Sequence, residues 1–315
     1  MNMVSATSRP AASVATFTAA VQAQARLFWV LFRRDLFTQY AWLGWALPFE
    51  GLNLVAGLAT WLFYARAFGN QAPFLQAYGG DVVAYLILGV AVTPLLLQTM
   101  RQFYNQVKSL YTGSWSSGGV RLSMAEYLLM AKIPLWTYLS AQLFWGYVRQ
   151  FLFLGVYLVA GWVWFGFHPH PGARYDLALL ALLLGLLAAA GIGLISASMV
   201  WLMNAWHDTE PVHWLIGVLV PLVSGSYFPP AILPGWLQVV SAWLPQTYAL
   251  DAIRRSVLGT AGAALTHDLA TLALFALLLP AAGALLFRRS RQVGRRRAAL
   301  QERNSRRVSS WTTHL

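Results

Sequence analysis

The chain is 315 residues long, 58% hydrophobic and only 10% charged, with a mean hydropathy of +0.55. One soluble core cannot bury that much apolar side chain, so a water-soluble globular protein is excluded and an all-α integral membrane fold is expected. The formal net charge of +12 raises the question of nucleic acid, but the basic residues flank apolar runs, where they act as topological signals. With no cysteine, disulfides and thiolate chemistry are excluded.

Residues 1–20 are rich in Ala, Ser and Thr and lack the charged start and apolar core of a secretory signal; they read as a mobile cytosolic tail. From 21 to 40, Arg26, Arg33 and Arg34 alternate with Leu27, Phe28, Leu31 and Phe37, while Asp35 falls on the apolar side. This is an imperfect amphipathic helix, either lying along the inner leaflet or forming the flank of the first span. Six spans are predicted within a transmembrane domain of residues 21–287, at about 43–65, 82–100, 146–167, 177–202, 212–228 and 268–287, from the length and low charge of each run. Residues 288–315 form an Arg-rich cytosolic tail. Its composition suits anionic lipid or nucleic acid, yet a stop-transfer anchor explains it with no ligand, and no nucleic-acid partner is expected. Seventeen basic residues fall on the proposed cytosolic side and only Arg66, Arg174, Arg254 and Arg255 outside, which puts both termini in the cytosol.

Two ionisable residues lie near or within spans. Glu50 follows Pro48 in the first, and Arg149 lies early in the third. Isolated charge there costs several kcal/mol, so the two either pair or snorkel to the interface. Between the second and third spans, Gly118 and Gly119 break the chain, and Ser123 stands three residues before Glu126. That capping-box spacing starts a short helix over 124–133, ended by Pro134. It is either a handle for a cytosolic partner or a connector hugging the membrane. His168 and His170 flank Pro169 without a third ligand nearby, which argues for loop histidines over a metal site.

The stretch 221–259 is apolar yet carries five prolines, so it cannot be one straight span. Non-helical backbone at membrane depth is tolerated only where protein or a water-filled cavity satisfies it. Ser224 to Pro230 therefore closes the fifth span, and two short helices, about 234–243 and 248–258 with a hinge at Pro245, dip back from the outer face. Asp251 and Arg255, four residues apart, are expected to pair on an outward surface.

These features together resemble the membrane subunit of ABC exporters of the second membrane type. The likeness rests on Gly119, Glu126, Tyr127, Leu128, Leu129 and Pro134 in the cytosolic segment. It rests further on Ser224, Gly225, Tyr227, Phe228, Pro229, Leu233, Pro234, Pro245, Thr247, Tyr248, Ala249, Asp251, Ala252 and Arg254, and covers about residues 20–290. The resemblance implies a permease in a bacterial-type inner membrane, exporting a polysaccharide, lipid or drug. A separate ATP-binding subunit would hold ATP and Mg, this chain would carry no cofactor and no catalytic residue, and a second permease copy and membrane lipids would complete the assembly. It implies further that Gly119, Arg121, Glu126, Tyr127, Leu128, Leu129 and Pro134, with Asp208 in the turn 204–210, couple to the ATPase. Ser224, Gly225, Tyr227, Phe228, Pro229, Pro234, Pro245, Tyr248, Asp251 and Arg254 would form the outer gate. In agreement, no Gly-Lys pair occurs, so the chain has no phosphate-cradling P-loop. A membrane enzyme acting on lipid-linked intermediates and an ion-coupled carrier are the alternatives. Convergent acid/base or metal ligands would mark the first, and an acidic relay at mid-membrane the second.

Overall fold

The computed structural model describes residues 10–68, 78, 80–112, 123–202, 211–260 and 262–312. Every regular element among them is helical: α1 (Pro10–Phe68), α2 (Val82–Thr112), α3 (Met124–Met130), α4 (Leu135–Phe165), α5 (Tyr175–Leu202), α6 (Pro211–Val223), a 3-10 turn (Pro230–Ile232), α7 (Gly235–Ala242), α8 (Pro245–Val257) and α9 (Ala263–Thr312). Four are long and apolar enough to cross a membrane, at Val82–Tyr111, Leu135–Phe165, Tyr175–Leu202 and Ala263–Val293.

α5 is the hub, packing against α9, α2 and α8. Its stretch Gly185 to Ala197 is dominated by Gly, Ala and Ser, and small residues let backbones approach where no hydrophobic force separates helix from lipid. The contact with α9 shows how close this is. A Cβ on Gly283 would lie 2.6 Å from the carbonyl oxygen of Gly191, and one on Gly191 would overlap Pro280. α1 lies against α4 and α2 at the other side of the bundle. Asp35, which breaks the amphipathic pattern of α1, is buried there. It accepts hydrogen bonds from Arg34 (Nη2, 2.7 Å) and from Gln142 Nε2 of α4 (2.7 Å), so it fastens one helix to the other.

Several expected boundaries move. α1 is one continuous helix, so residues 10–20 of the expected mobile tail, the amphipathic segment and the expected first span, which is not one of these four, form a single helix. α4 begins at Leu135, eleven residues before the expected third span, because Pro134 can precede a helix but not continue one from behind. The fifth span shrinks to the 13 residues of α6, about 20 Å of helix and too short to cross alone. α9 runs on through the Arg-rich segment to Thr312, whose Ala, Arg, Gln and Glu are good helix formers.

Candidate functional site

Three features carry the site: a buried knot where α2 meets α8, a polar cavity beneath it, and α3 at the opposite end of the bundle.

The knot begins with the bends at 224–228. Gly225 holds φ at +82°, a left-handed conformation that glycine adopts without penalty, and this turns two carbonyls inward. Arg254, on α8, is fully buried and answers them. Its Nη1 donates to Gly225 O at 2.7 Å, Nη2 to Ser226 O at 3.1 Å and Nε to Tyr85 O at 3.1 Å. The guanidinium also lies 3.6 Å from the Tyr85 ring centroid, and the Tyr85 hydroxyl donates to Gly225 O at 2.8 Å. A buried charge is tolerated only when paired and hydrogen-bonded, and Asp251 completes the set at 3.8 Å from Nη1. Asp251 in turn accepts from the Tyr78 hydroxyl at 3.0 Å. Burial raises the pKa of Asp251 above the usual carboxylate range, partly offset by Arg254; burial and then Asp251 raise that of Tyr78. The fit allows nothing larger than glycine at position 89, where a Cβ would overlap both Ser226 O and Arg254.

Asp251 therefore engages Arg254 and Tyr78, while Arg255 turns to α9. Its Nε lies 3.2 Å from Asp268 without hydrogen-bond alignment, and its guanidinium lies 5.1 Å from the Tyr78 ring centroid. The expected outward pair Asp251–Arg255 gives way because Arg254, one position earlier, faces the core. Other members of the proposed gate gather nearby. Ser224 and Ser226 hydroxyls are 2.8 Å apart, Pro229 is buried and Pro245 opens α8. Tyr248 donates to Ala242 O at 3.1 Å, closing the turn between α7 and α8. Phe228 is half exposed at the rim. α7 and α8 thus fall close to the two short helices expected after the prolines, with α8 starting three residues earlier because Pro is well suited to a first helical position.

Below the knot, α1, α2, α4 and the 221–227 segment line a cavity of about 330 Å³ that is open on one side. Its polar lining includes Asn53, Gln98, Arg101, Gln150 and Tyr227, with Ser226 shared between cavity and knot and bonded to Thr93 at 2.7 Å. None of the described lining residues is acidic. Glu50 is exposed on α1 and Arg149 half-buried on α4, in helices that pack together.

At the other end, Ser123 and Glu126 form the expected capping box. Glu126 Oε2 accepts from Ser123 N at 2.6 Å, and Ser123 Oγ from Glu126 N at 3.4 Å. The helix ends at Met130, earlier than expected. Lys132 adopts φ +55°, Ile133 N donates to Leu128 O at 2.8 Å and Lys132 N to Leu129 O at 3.0 Å. That is a Schellman closure with its usual apolar contact, since Ile133 and Leu128 join one core cluster. The closure sorts the residues assigned to coupling. Leu128 is only 5% exposed and faces the core; Met124, Tyr127, Leu129 and Met130 face outward, Leu129 being 73% exposed. Gly119, Arg121 and Asp208 lie outside the described residues. In the loop 166–174, His168 Nδ1 donates to Gly166 O at 2.8 Å and His170 Nδ1 accepts from Gly172 N at 3.0 Å, so each is spent on a local turn.

Sequence reasoning missed the burial of Arg254 and the cavity. The signal for the second was present: Gln98 and Arg101 stand at i,i+3 on one face of an apolar run.

Compared with known families, residues 16–258 match the sequence model of the ABC-2 type transporter family, about three quarters of the chain. No curated protein matches.

Proposed function

The chain belongs to the ABC-2 type transporter family, a family of multi-pass membrane permeases that work with an ATP-binding subunit, and from that premise we propose that it is the permease of an ATP-driven exporter. The separate partner hydrolyses ATP, and the substrate is amphipathic or lipid-linked: a glycan, lipid or drug. The observation that carries the reading is the coincidence, in one member of this family, of a polar cavity inside the helix bundle with an apolar helix face exposed at one end. A cavity at membrane depth has no structural purpose that an apolar core would not serve better.

The arginine distribution supports one orientation. The α3 end faces the cytosol with both termini, in a bacterial-type inner membrane, and the knot faces outward. α3 is then the coupling helix, presenting Tyr127, Leu129 and Met130 to the ATPase. Gly119, Arg121 and Asp208, outside the described residues, keep the coupling role that the family resemblance implies, and Pro134 and the Schellman closure fix the angle between α3 and α4. Closure of the motor pushes α3, and the push travels through the Leu128 cluster into α2 and α4. The segment 224–228, held by Arg254, is the outer gate over the cavity. A contact between Glu50 and Arg149, which the packing of α1 on α4 permits, belongs to the same proposal. The exposed apolar face of α6 and α7, with Trp214, Val218, Leu222, Trp236 and Val239, suits a second permease copy, so that two short α6 helices and two cavities meet.

The test is affinity purification of the full chain in mild detergent, asking whether an ATP-binding protein co-purifies. Leu129→Asp should reduce its recovery about tenfold or more, the loss expected when a charge enters an apolar contact, without lowering the melting temperature. Leu128→Ala should lower stability by about 2–4 kcal/mol. Equal partner recovery with wild type and Leu129→Asp would overturn the coupling assignment.

A further inference from the structure

The polar cavity carries an unusual balance of chemistry, and it specifies a ligand class. Arg101 is a permanent cation placed about 24 Å along α2 from Tyr85, inside the candidate span Val82–Tyr111. Around it the described lining supplies the amides of Asn53, Gln98 and Gln150 and the hydroxyl of Tyr227, but no carboxylate. The amides both donate and accept hydrogen bonds. A cation is repelled from such a site, and a neutral sugar satisfies the amides while leaving the guanidinium uncompensated. An anion with hydroxyl or ether oxygens satisfies both. The planar fork of an arginine matches two oxygens of a phosphate, and hydrogen bonds to it are charge-assisted. A volume of about 330 Å³ is at the small end for ligand pockets; it admits a phosphate with one sugar ring. The opposite wall is open. Gly57 has no atom within 4 Å of where its Cβ would stand, so α1 leaves room for an occupant.

We propose that the cavity binds the anionic head group of an amphiphile, a phosphate or phosphosugar, with Arg101 as its counter-charge and Asn53, Gln98 and Gln150 orienting its oxygens. This rests on the permease reading and narrows it, since it favours phosphorylated lipid-linked substrates over neutral glycolipids and cationic drugs. The same chemistry is present in a resident anionic phospholipid.

The experiment is calorimetric titration of the full chain in phosphatidylcholine nanodiscs with decyl phosphate and with decyl maltoside, corrected for empty discs. Wild type should bind decyl phosphate saturably and decyl maltoside at least about tenfold more weakly, the ratio expected of a charge-assisted contact. Arg101→Gln should remove that preference and Arg101→Lys should keep part of it. Gly57→Leu, which fills the cavity from the far wall and leaves the charge in place, should abolish both signals. Equal binding of the two probes, or unchanged decyl phosphate binding in Arg101→Gln and Gly57→Leu, overturns the proposal. Repeating the titration in discs containing phosphatidylglycerol separates the sources: loss of the decyl phosphate signal identifies a resident lipid as occupant, and its survival identifies a head group delivered for export. Recovery of the ATP-binding partner is read independently. If the partner binds and decyl phosphate does not, the anionic class fails and the permease reading stands; the reverse result spares the site and rejects the permease.

Discussion

Two arginines on the same bundle show what a charge can be used for inside a membrane protein. Arg254 is fully buried, with Nε, Nη1 and Nη2 each donating to a carbonyl, an aromatic ring against its face and a carboxylate within 4 Å. Arg101 is exposed, at a cavity whose described lining offers amides and hydroxyls and no acid. The first is completed by its own chain, so it serves structure. The second meets no acid among the described lining residues, which is why the proposal above gives it a ligand.

Breaking Arg254 should therefore be the costliest change in the molecule. Arg254→Leu removes a donor from three buried carbonyls and the cation beside Asp251, and removal of one partner from such a set costs about 3–5 kcal/mol. The check is the melting temperature and monodispersity of the detergent-solubilised protein. Gly89→Ala attacks the same knot from the other side. Its Cβ meets the backbone oxygen of Ser226, which cannot rotate away, and overpacking of this kind costs about 1–3 kcal/mol; a denaturant series against wild type reads it. Thr93→Val deletes the bond to Ser226 at a cost of about 1 kcal/mol and loosens the roof of the cavity without touching Arg254. Acid should act in the opposite sense. Because burial raises the pKa of Asp251 in the folded chain, the folded state binds that proton more tightly than the unfolded state. Its contribution to stability then grows as pH falls through the raised value and levels off near 4, the ordinary carboxylate value. Melting curves between pH 4 and 8 should show that trend, and Asp251→Asn should flatten it. The smallest effect belongs to the other arginine. Arg101→Gln should shift stability by no more than about 0.5 kcal/mol, as an exposed position away from the core does.

The comparison also marks what could be read before folding. The prolines of 221–259 announced a break, and the break is there as α7 and α8, because missing amide hydrogens act locally. The capping box at Ser123 and Glu126 was equally legible, being a contact across three residues. The fate of Arg254 was not. Hydropathy placed it with the outward charges, and nothing local records that Tyr85 and Gly225, 169 and 29 residues away, would turn their carbonyls toward it. Leu128 and Leu129 look alike in sequence, and only the Schellman turn at Lys132 decides which is buried. The cavity draws Asn53, Gln98 and Gln150 from three helices; each residue alone reads as a polar interruption of an apolar run, and packing alone brings them together.

The most direct test of the account is ATP hydrolysis in proteoliposomes that hold this chain with its ATP-binding partner, comparing wild type with Leu129→Asp. The account predicts hydrolysis that requires both chains and falls to the level of the isolated partner when the exposed face of α3 carries the charge. Hydrolysis indifferent to this chain, or substrate transport by this chain with no partner present, would contradict it.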